Sequence, residues 1–368
     1  MDFTFTPEQE DAAALAAGIL ADKTTPERMR AVEKAGDRFD RDLWQALGDA
    51  GLLSLAVPEE YDGAGLGLIE LSRVLIEVGR KVAPVPLATH GPAALVLAEF
   101  GTDAQKQEWL PRAATGEAVL STALTEELEH LPATPGVTLV DGVLNGTKTL
   151  VRAGTVADLL LVTASTPTGT VVALVRPGDP GVTVSAQRTS DGDTTALVQL
   201  DGVPVGADRI LGEADGGADG GAATRLAQVA TAAACAELAG VVHGAVRLTA
   251  DYAKTREQFG RPIGSFQAVA QRLADGYIDS LFQELTLWQA VWRLTEGLPT
   301  TTELAIAKMW AADAAHKVAH TTVHVHGGVG IDLDGEAHRY FTAAKRFEFS
   351  FGGTTEQSLA IGRALAAR

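Results

Sequence analysis

The segment REQFGRPIGSFQ, from Arg256 to Gln267, decides the reading of this chain. It follows the Ala-rich stretch Ala222–Thr255, whose apolar residues recur at helical spacing, so Arg256 is expected to close a helix. Gly260 breaks that helix, Pro262 prevents its return, and Gln267 opens the next one. Arg256 can present a bidentate guanidinium to phosphate or stack on a base. Phe259 supplies an aromatic face, and Gln267 offers both donor and acceptor. A second stretch, HVHGGVG (His324–Gly330), ends another helical pattern, and its adjacent Gly327 and Gly328 let a backbone approach a pyrophosphate or adenosine closely. A third, FSFGGTTEQ, runs from Phe349 to Gln357.

Outward from these stretches the chain reads as an α+β multidomain protein. Thr6, Pro7 and Gln9 form a helix-start signature, and helical patterns punctuated by Gly or Pro continue through residues 1–117, an expected N-terminal all-α domain. Residues 118–211 change to short β-rich runs. The pair VTLV-DG-VLNG signals a hairpin with a type I′ turn, so this middle domain is expected to be a mostly antiparallel β-barrel or sandwich. The Gly-rich acidic segment at 212–222 reads as a flexible linker. Residues 223–368 carry long helical patterns at Gln267–Glu296, Thr301–His324 and from Thr354, an expected C-terminal four-helix bundle.

Composition sets the outer limits. With 46% hydrophobic and 21% charged residues the chain is globular rather than disordered. A formal net charge of −17 argues against nucleic acid or an anionic membrane as the main partner, although a local basic patch can still hold an anionic ligand. A single cysteine, Cys235, cannot form an intrachain disulfide and suits a reducing cytoplasm, the expected location. The N-terminus lacks a basic region followed by an apolar run, and membrane insertion is not expected. His316, His320 and His324, with Asp313 one turn earlier, line one helix face at a spacing that would suit a metal. Catalytic sites usually take ligands from several elements, so an interface or core stripe is expected and no metal.

In this order, and at this separation from the C-terminus, the three stretches resemble the acyl-CoA dehydrogenase family of flavoenzymes. PEEYDGAGLGLIEL (Pro58–Leu71) is similar to a common N-terminal stretch of that family, and the resemblance covers essentially the whole chain. It implies α,β-dehydrogenation of an acyl-CoA with FAD, which an electron-transfer acceptor then reoxidises. It also implies that Arg256, Phe259, Gln267, His324, Gly327 and Gly328 contact the FAD of a neighbouring subunit, His324 standing where glutamine is more usual.

The resemblance also exposes departures. Most members carry a glutamate, the base for the substrate's α-proton, two residues before the threonine of a YEGT-like motif. Here that threonine is Thr354 and the position is Gly352. Other members place the base 26 residues before the arginine, which here is Ala230 (256 − 26 = 230). Glu237, two turns later, is the nearest carboxylate on that helix, while Glu348 and Glu356 flank Gly352. The family's TEPxAGSD stretch reads TEELEHLP, keeping Thr125 and Glu126 only. Its KxWIT stretch reads KTLVR, where Lys148 stays, Leu150 replaces the aromatic residue and Arg152 the threonine.

A positioned base contributes typically about 10²–10⁴-fold, so a chain lacking it is not expected to run this reaction alone. The segments GRPIGSFQ and AHRYFTAAKRFEFSFG look like the α₂β₂ acyl-CoA dehydrogenases of actinobacterial steroid side-chain degradation. The expectation is a subunit without the base, which lends half of an FAD site to a paralogous partner that carries the glutamate. The substrate class is then a bulky acyl-CoA such as a cholesterol-type side-chain ester. The alternatives are a homo-oligomeric dehydrogenase using a base such as Glu237, and a non-catalytic flavin- or acyl-CoA-binding scaffold.

Overall fold

A computed structural model describes residues 4–215 and 221–367. In chain order the helices are α1 (Pro7–Lys23), α2 (Pro26–Ala35), α3 (Arg41–Asp49), α4 (Leu68–Arg80), α5 (Leu87–Phe100) and α6 (Asp103–Thr115). The strands β1 (Leu120–Ala123), β2 (Thr138–Val140), β3 (Val143–Arg152), β4 (Leu159–Thr166), β5 (Gly169–Val175), β6 (Val182–Gln187), β7 (Thr195–Pro204) and β8 (Ile210–Asp215) follow. Then come α7 (Ala222–Thr255), β9 (Glu257–Gln258), β10 (Arg261–Pro262), α8 (Gln267–Thr295), α9 (Thr301–His326), α10 (Ala337–Phe349) and α11 (Thr354–Ala366). β8 continues through Asp215, so strand occupies the start of the expected linker; residues 216–220 lie outside the described residues.

Local chemistry explains the boundaries. Thr6 and Gln9 exchange side-chain-to-backbone hydrogen bonds at the start of α1, and Thr102 and Gln105 do the same at α6. Asp141 and Gly142 join β2 to β3 with φ of 50° and 75°, the left-handed pair that a two-residue hairpin needs.

The chain divides into two compact units, and residues 1–117 contribute to both. One unit comprises the chain up to Leu15, Val32–Leu71 and Pro84–Ala233. Its sheet has the order β6-β7-β3-β2-β4-β5-β8, with β1 paired to β4. Pairing is mostly antiparallel, but β1 and β2 each run parallel to β4. Val137, Leu144, Leu160, Val162 and Val198 form part of its fully buried core. The other unit comprises Ala16–Ala31, Ser72–Ala83 and the chain from Ala234, with α9 packed on α8, α10 and α11. α10 is a helix that the sequence reading did not assign.

Within the second unit α4 and α7 touch backbone to backbone. A Cβ on Gly79 would lie 1.9 Å from the Glu237 carbonyl oxygen, and one on Gly240 would lie 1.9 Å from that of Ile76. Neither neighbour is a movable side chain, so Gly240→Ala is expected to cost about 1–3 kcal/mol in urea unfolding. An unchanged midpoint would show that the helices can part freely. α7 is long and apolar enough to cross a membrane, yet 89% of its most apolar window is buried inside the protein.

Candidate functional site

The C-terminal ends of α7 and α9 meet in the second unit. Tyr252 stacks on His326 with ring centroids 4.3 Å apart, and Thr249 donates to the Thr322 hydroxyl at 3.1 Å. These contacts bring the Arg256–Gln267 segment beside His324–Gly328. Tyr252 is one helical turn before Arg256, and that i, i+4 spacing is the sequence signal by which it could have been found. α7 ends at Thr255, so Gly260 is not its stop. β9 and β10 instead form a small hairpin whose turn is Phe259 and Gly260, with φ of 54° and 76°.

A phenylalanine at such a turn is strained, since left-handed backbone costs a non-Gly residue roughly 1–2 kcal/mol. It is also 93% exposed. Arg261 is committed to the Phe266 ring, 4.2 Å from its centroid. Arg256, Gln267 and His324 are exposed, and no hydrogen bond or ion pair among the described residues engages their side chains. Gly327 and Gly328 are exposed too, with open space where a Cβ would stand. A free guanidinium, an amide, an aromatic face and bare backbone thus converge on one end of the helices. They fit a ligand with a pyrophosphate and a flat base, and so fit the ADP half of FAD.

From this end a groove of about 610 Å³ runs between α8 and α9, with Gln271, Arg272, Asp275, Asp279, Lys317 and His320 among its lining. Along α8, Tyr277, Ile278, Leu281, Phe282 and Leu285 form a largely exposed apolar row. The histidine stripe splits by role. His316 bonds Glu348 at 3.0 Å and lies 2.9 Å from the Lys345 ammonium. The His320 ring stands edge-on to Phe341, and its pKa is lowered by burial and by Lys345 and His316.

Gly352 is buried in a turn at φ 94°, and a Cβ there would meet the Gln357 amide nitrogen at 2.8 Å. The neighbouring carboxylates are engaged. Glu356 accepts from the Gly353 N–H at 2.7 Å at the head of α11, and Glu348 accepts from Lys345 at 2.8 Å. Glu237, only 2% exposed, pairs with Arg346 at 3.6 Å, and Ala230 is buried on α7. A carboxylate held by a cation in the core is a packing element, which weakens Glu237 as a base.

Beneath this turn the fully buried Lys308 donates to the Glu348 carbonyl at 3.1 Å. Burial pushes its ammonium down to about 8 from 10.5, against the pull of Cys235, Glu348 and Glu356. The unfolded chain then binds more protons than the folded one between those values. The contribution of this group is therefore fully present above pH 10.5 and is lost as pH falls towards 8. Lys308→Met is expected to remove that rise in stability from urea titrations at matched pH; a parent-like slope would place the titration elsewhere.

In the first unit the TEELEHLP and KTLVR stretches are held by internal bonds. Thr125 is buried, its carbonyl accepting from the Thr149 N–H at 2.9 Å. Lys148, with no exposed surface, donates to Glu126 at 2.7 Å, to the Thr163 hydroxyl at 3.0 Å and to the Leu124 carbonyl at 3.2 Å. Burial pushes the Glu126 carboxyl up, but Lys148 and the Val137 and Gly136 N–H groups together hold it below its usual value. Arg152 donates to Asp193 at 2.8 Å, and Leu150 has φ 50° at a bulge between β3 and β7.

Two family models match the chain: the acyl-CoA dehydrogenase N-terminal domain over residues 6–117 and the C-terminal domain over 221–366. The chain is 45% identical to the acyl-CoA dehydrogenase FadE27 of Mycobacterium tuberculosis, over 100% of this chain and 99% of that one. Among solved structures it is similar to the ChsE4-ChsE5 complex from the same organism, at 45% identity and a TM-score of 0.94 with both chains fully covered. It is also similar to a variant of the Tcur3481-Tcur3483 steroid ACAD, at 40% identity, a TM-score of 0.91 and 98% coverage of each chain.

Proposed function

Because the chain belongs to the acyl-CoA dehydrogenase family, we propose that it is the subunit without a base in a heteromeric enzyme, lending half of an FAD site to a paralogous partner. The observation that carries this reading is the coexistence of Gly352, which has no proton acceptor, with a pyrophosphate-binding constellation left unused by this chain's own side chains. Arg256 and Gln267 would hold the pyrophosphate, Phe259 and His324 would cover the nucleotide, and Gly327 and Gly328 would admit it against the backbone. Bound FAD supplies the acceptor for the hydride that leaves the substrate's β-carbon.

The α-proton needs a carboxylate that this chain does not offer at Gly352 or Ala230, so the partner supplies it. The apolar row on α8 supports a subunit contact. The relatives solved as ChsE4-ChsE5 and Tcur3481-Tcur3483 complexes support a partner of a different sequence. That the second of these is a steroid ACAD supports a bulky, steroid-type acyl-CoA as substrate. The free thiol of buried Cys235 suits a reducing, cytoplasmic setting.

Flavin content tests this. The chain expressed alone is expected to hold no stoichiometric FAD and to turn over no acyl-CoA, and co-expression with its glutamate-bearing paralogue is expected to restore both. A yellow, active protein from this chain alone would refute the division of labour.

A further inference from the structure

The first unit carries a cluster of buried charges that the flavin half-site does not use. Arg152 donates through Nε to Asp193 at 2.8 Å, with 15% and 6% of the two side chains exposed. Arg38 lies 3.9 Å from Asp191, with 5% and 2% exposed. Both acceptors sit on the loop joining β6 to β7 and are fixed there. The Thr189 hydroxyl donates to Asp191 at 2.7 Å, and the Thr194 N–H donates to Asp193 at 3.1 Å. The Arg152 backbone is held as well, its carbonyl accepting from the Ser121 hydroxyl at 2.5 Å. The bulge between Lys148 and Val151 leaves Leu150 47% exposed while Arg152 is drawn to the loop.

We infer that the Arg152–Asp193 pair, backed by Arg38–Asp191, closes this chain's own flavin-ring seat. The inference rests on the proposed division of labour. By the family resemblance of the sequence, the KTLVR segment stands where an aromatic residue and a small hydroxyl are usual. A threonine hydroxyl can donate and accept and occupies little space. A guanidinium only donates, is far larger, and here is already bound. Admitting a ring would pull Arg152 from Asp193 and so break a buried ion pair, which is costly. The residues present therefore do not fit the ring, whereas those of the half-site fit the nucleotide end. The closure is built from loop and strand together, so it is a positive feature of the fold rather than the mere loss of contacts.

The test uses the co-expressed complex and counts FAD released on denaturation. The parent is expected to hold one flavin per two chains. In Arg152→Thr/Asp193→Asn carrying Leu150→Trp, flavin content is expected to rise towards one per chain, with a second binding phase on titration with FAD. Arg152→Lys, which keeps the pair, is expected to stay at the parent value. Should the triple variant fail to assemble, Arg152→Gln, a smaller neutral donor to Asp193, serves in its place and is expected to show the second phase at millimolar FAD. A correctly assembled variant that stays at the parent flavin count, with no second phase, overturns the closure while leaving the division of labour intact. A parent complex already holding one flavin per chain overturns both.

Discussion

Arg256→Ala, made in the complex of this chain with its glutamate-bearing partner, is expected to release FAD although no residue of the partner has changed. Charge-assisted hydrogen bonds contribute about 1.5–3 kcal/mol each, which converts to a roughly tenfold to hundredfold weaker flavin affinity. The guanidinium is exposed and engages no described neighbour, so its removal leaves no buried charge and should hardly change thermal stability. That separation makes the result readable. Arg256→Lys keeps the charge but not the planar fork and should recover only part of the affinity. Equilibrium dialysis and a melting curve on the same samples check it. Full flavin retention in Arg256→Ala would remove this residue from the site.

Lys148→Met is expected to be the most damaging single change, lowering stability by about 3–5 kcal/mol. Lys148 has no exposed surface and satisfies Glu126, Thr163 and the Leu124 carbonyl at once. Burial pulls the lysine's pKa down while Glu126 opposes that pull, so the ion pair offsets part of the cost of burying the ammonium. Removing the ammonium strands the carboxylate between the Gly136 and Val137 N–H groups. Protonation would then relieve it, so the loss should shrink as pH falls through the carboxylate range; Glu126→Gln/Lys148→Met should be less damaging than Lys148→Met alone. Urea denaturation at neutral pH and again within the carboxylate range measures both effects. A Lys148→Met protein as stable as its parent would show that the ion pair is not needed to hold β3 in place.

These two residues mark what the sequence could and could not convey. Helix starts were legible because they depend on neighbours: Thr6 with Gln9, and Gln267 at the head of α8. The β2–β3 hairpin was legible because Asp-Gly accepts positive φ at both positions. Phe259-Gly260 carries no such favourable pair, so Gly260 read as a helix stop although it shapes a hairpin turn. The half-site residues could be named from motif spacing, but their common freedom from partners appears only in three dimensions. Arg152 read only as a replacement for the family's usual threonine because Asp193 is 41 residues away, and nothing local announces an ion pair across that distance. The close approach of Gly79 and Gly240 to backbones far along the chain is likewise something that helical periodicity does not encode.

The most direct measurement is a crystal structure of this chain with its co-purified paralogue and FAD. The account predicts one FAD per pair of chains, with its pyrophosphate against Arg256 and Gln267 of this chain and its ring on the partner, beside the partner's glutamate. An FAD whose ring rests on this chain's own β3, with Arg152 swung away from Asp193, would contradict it.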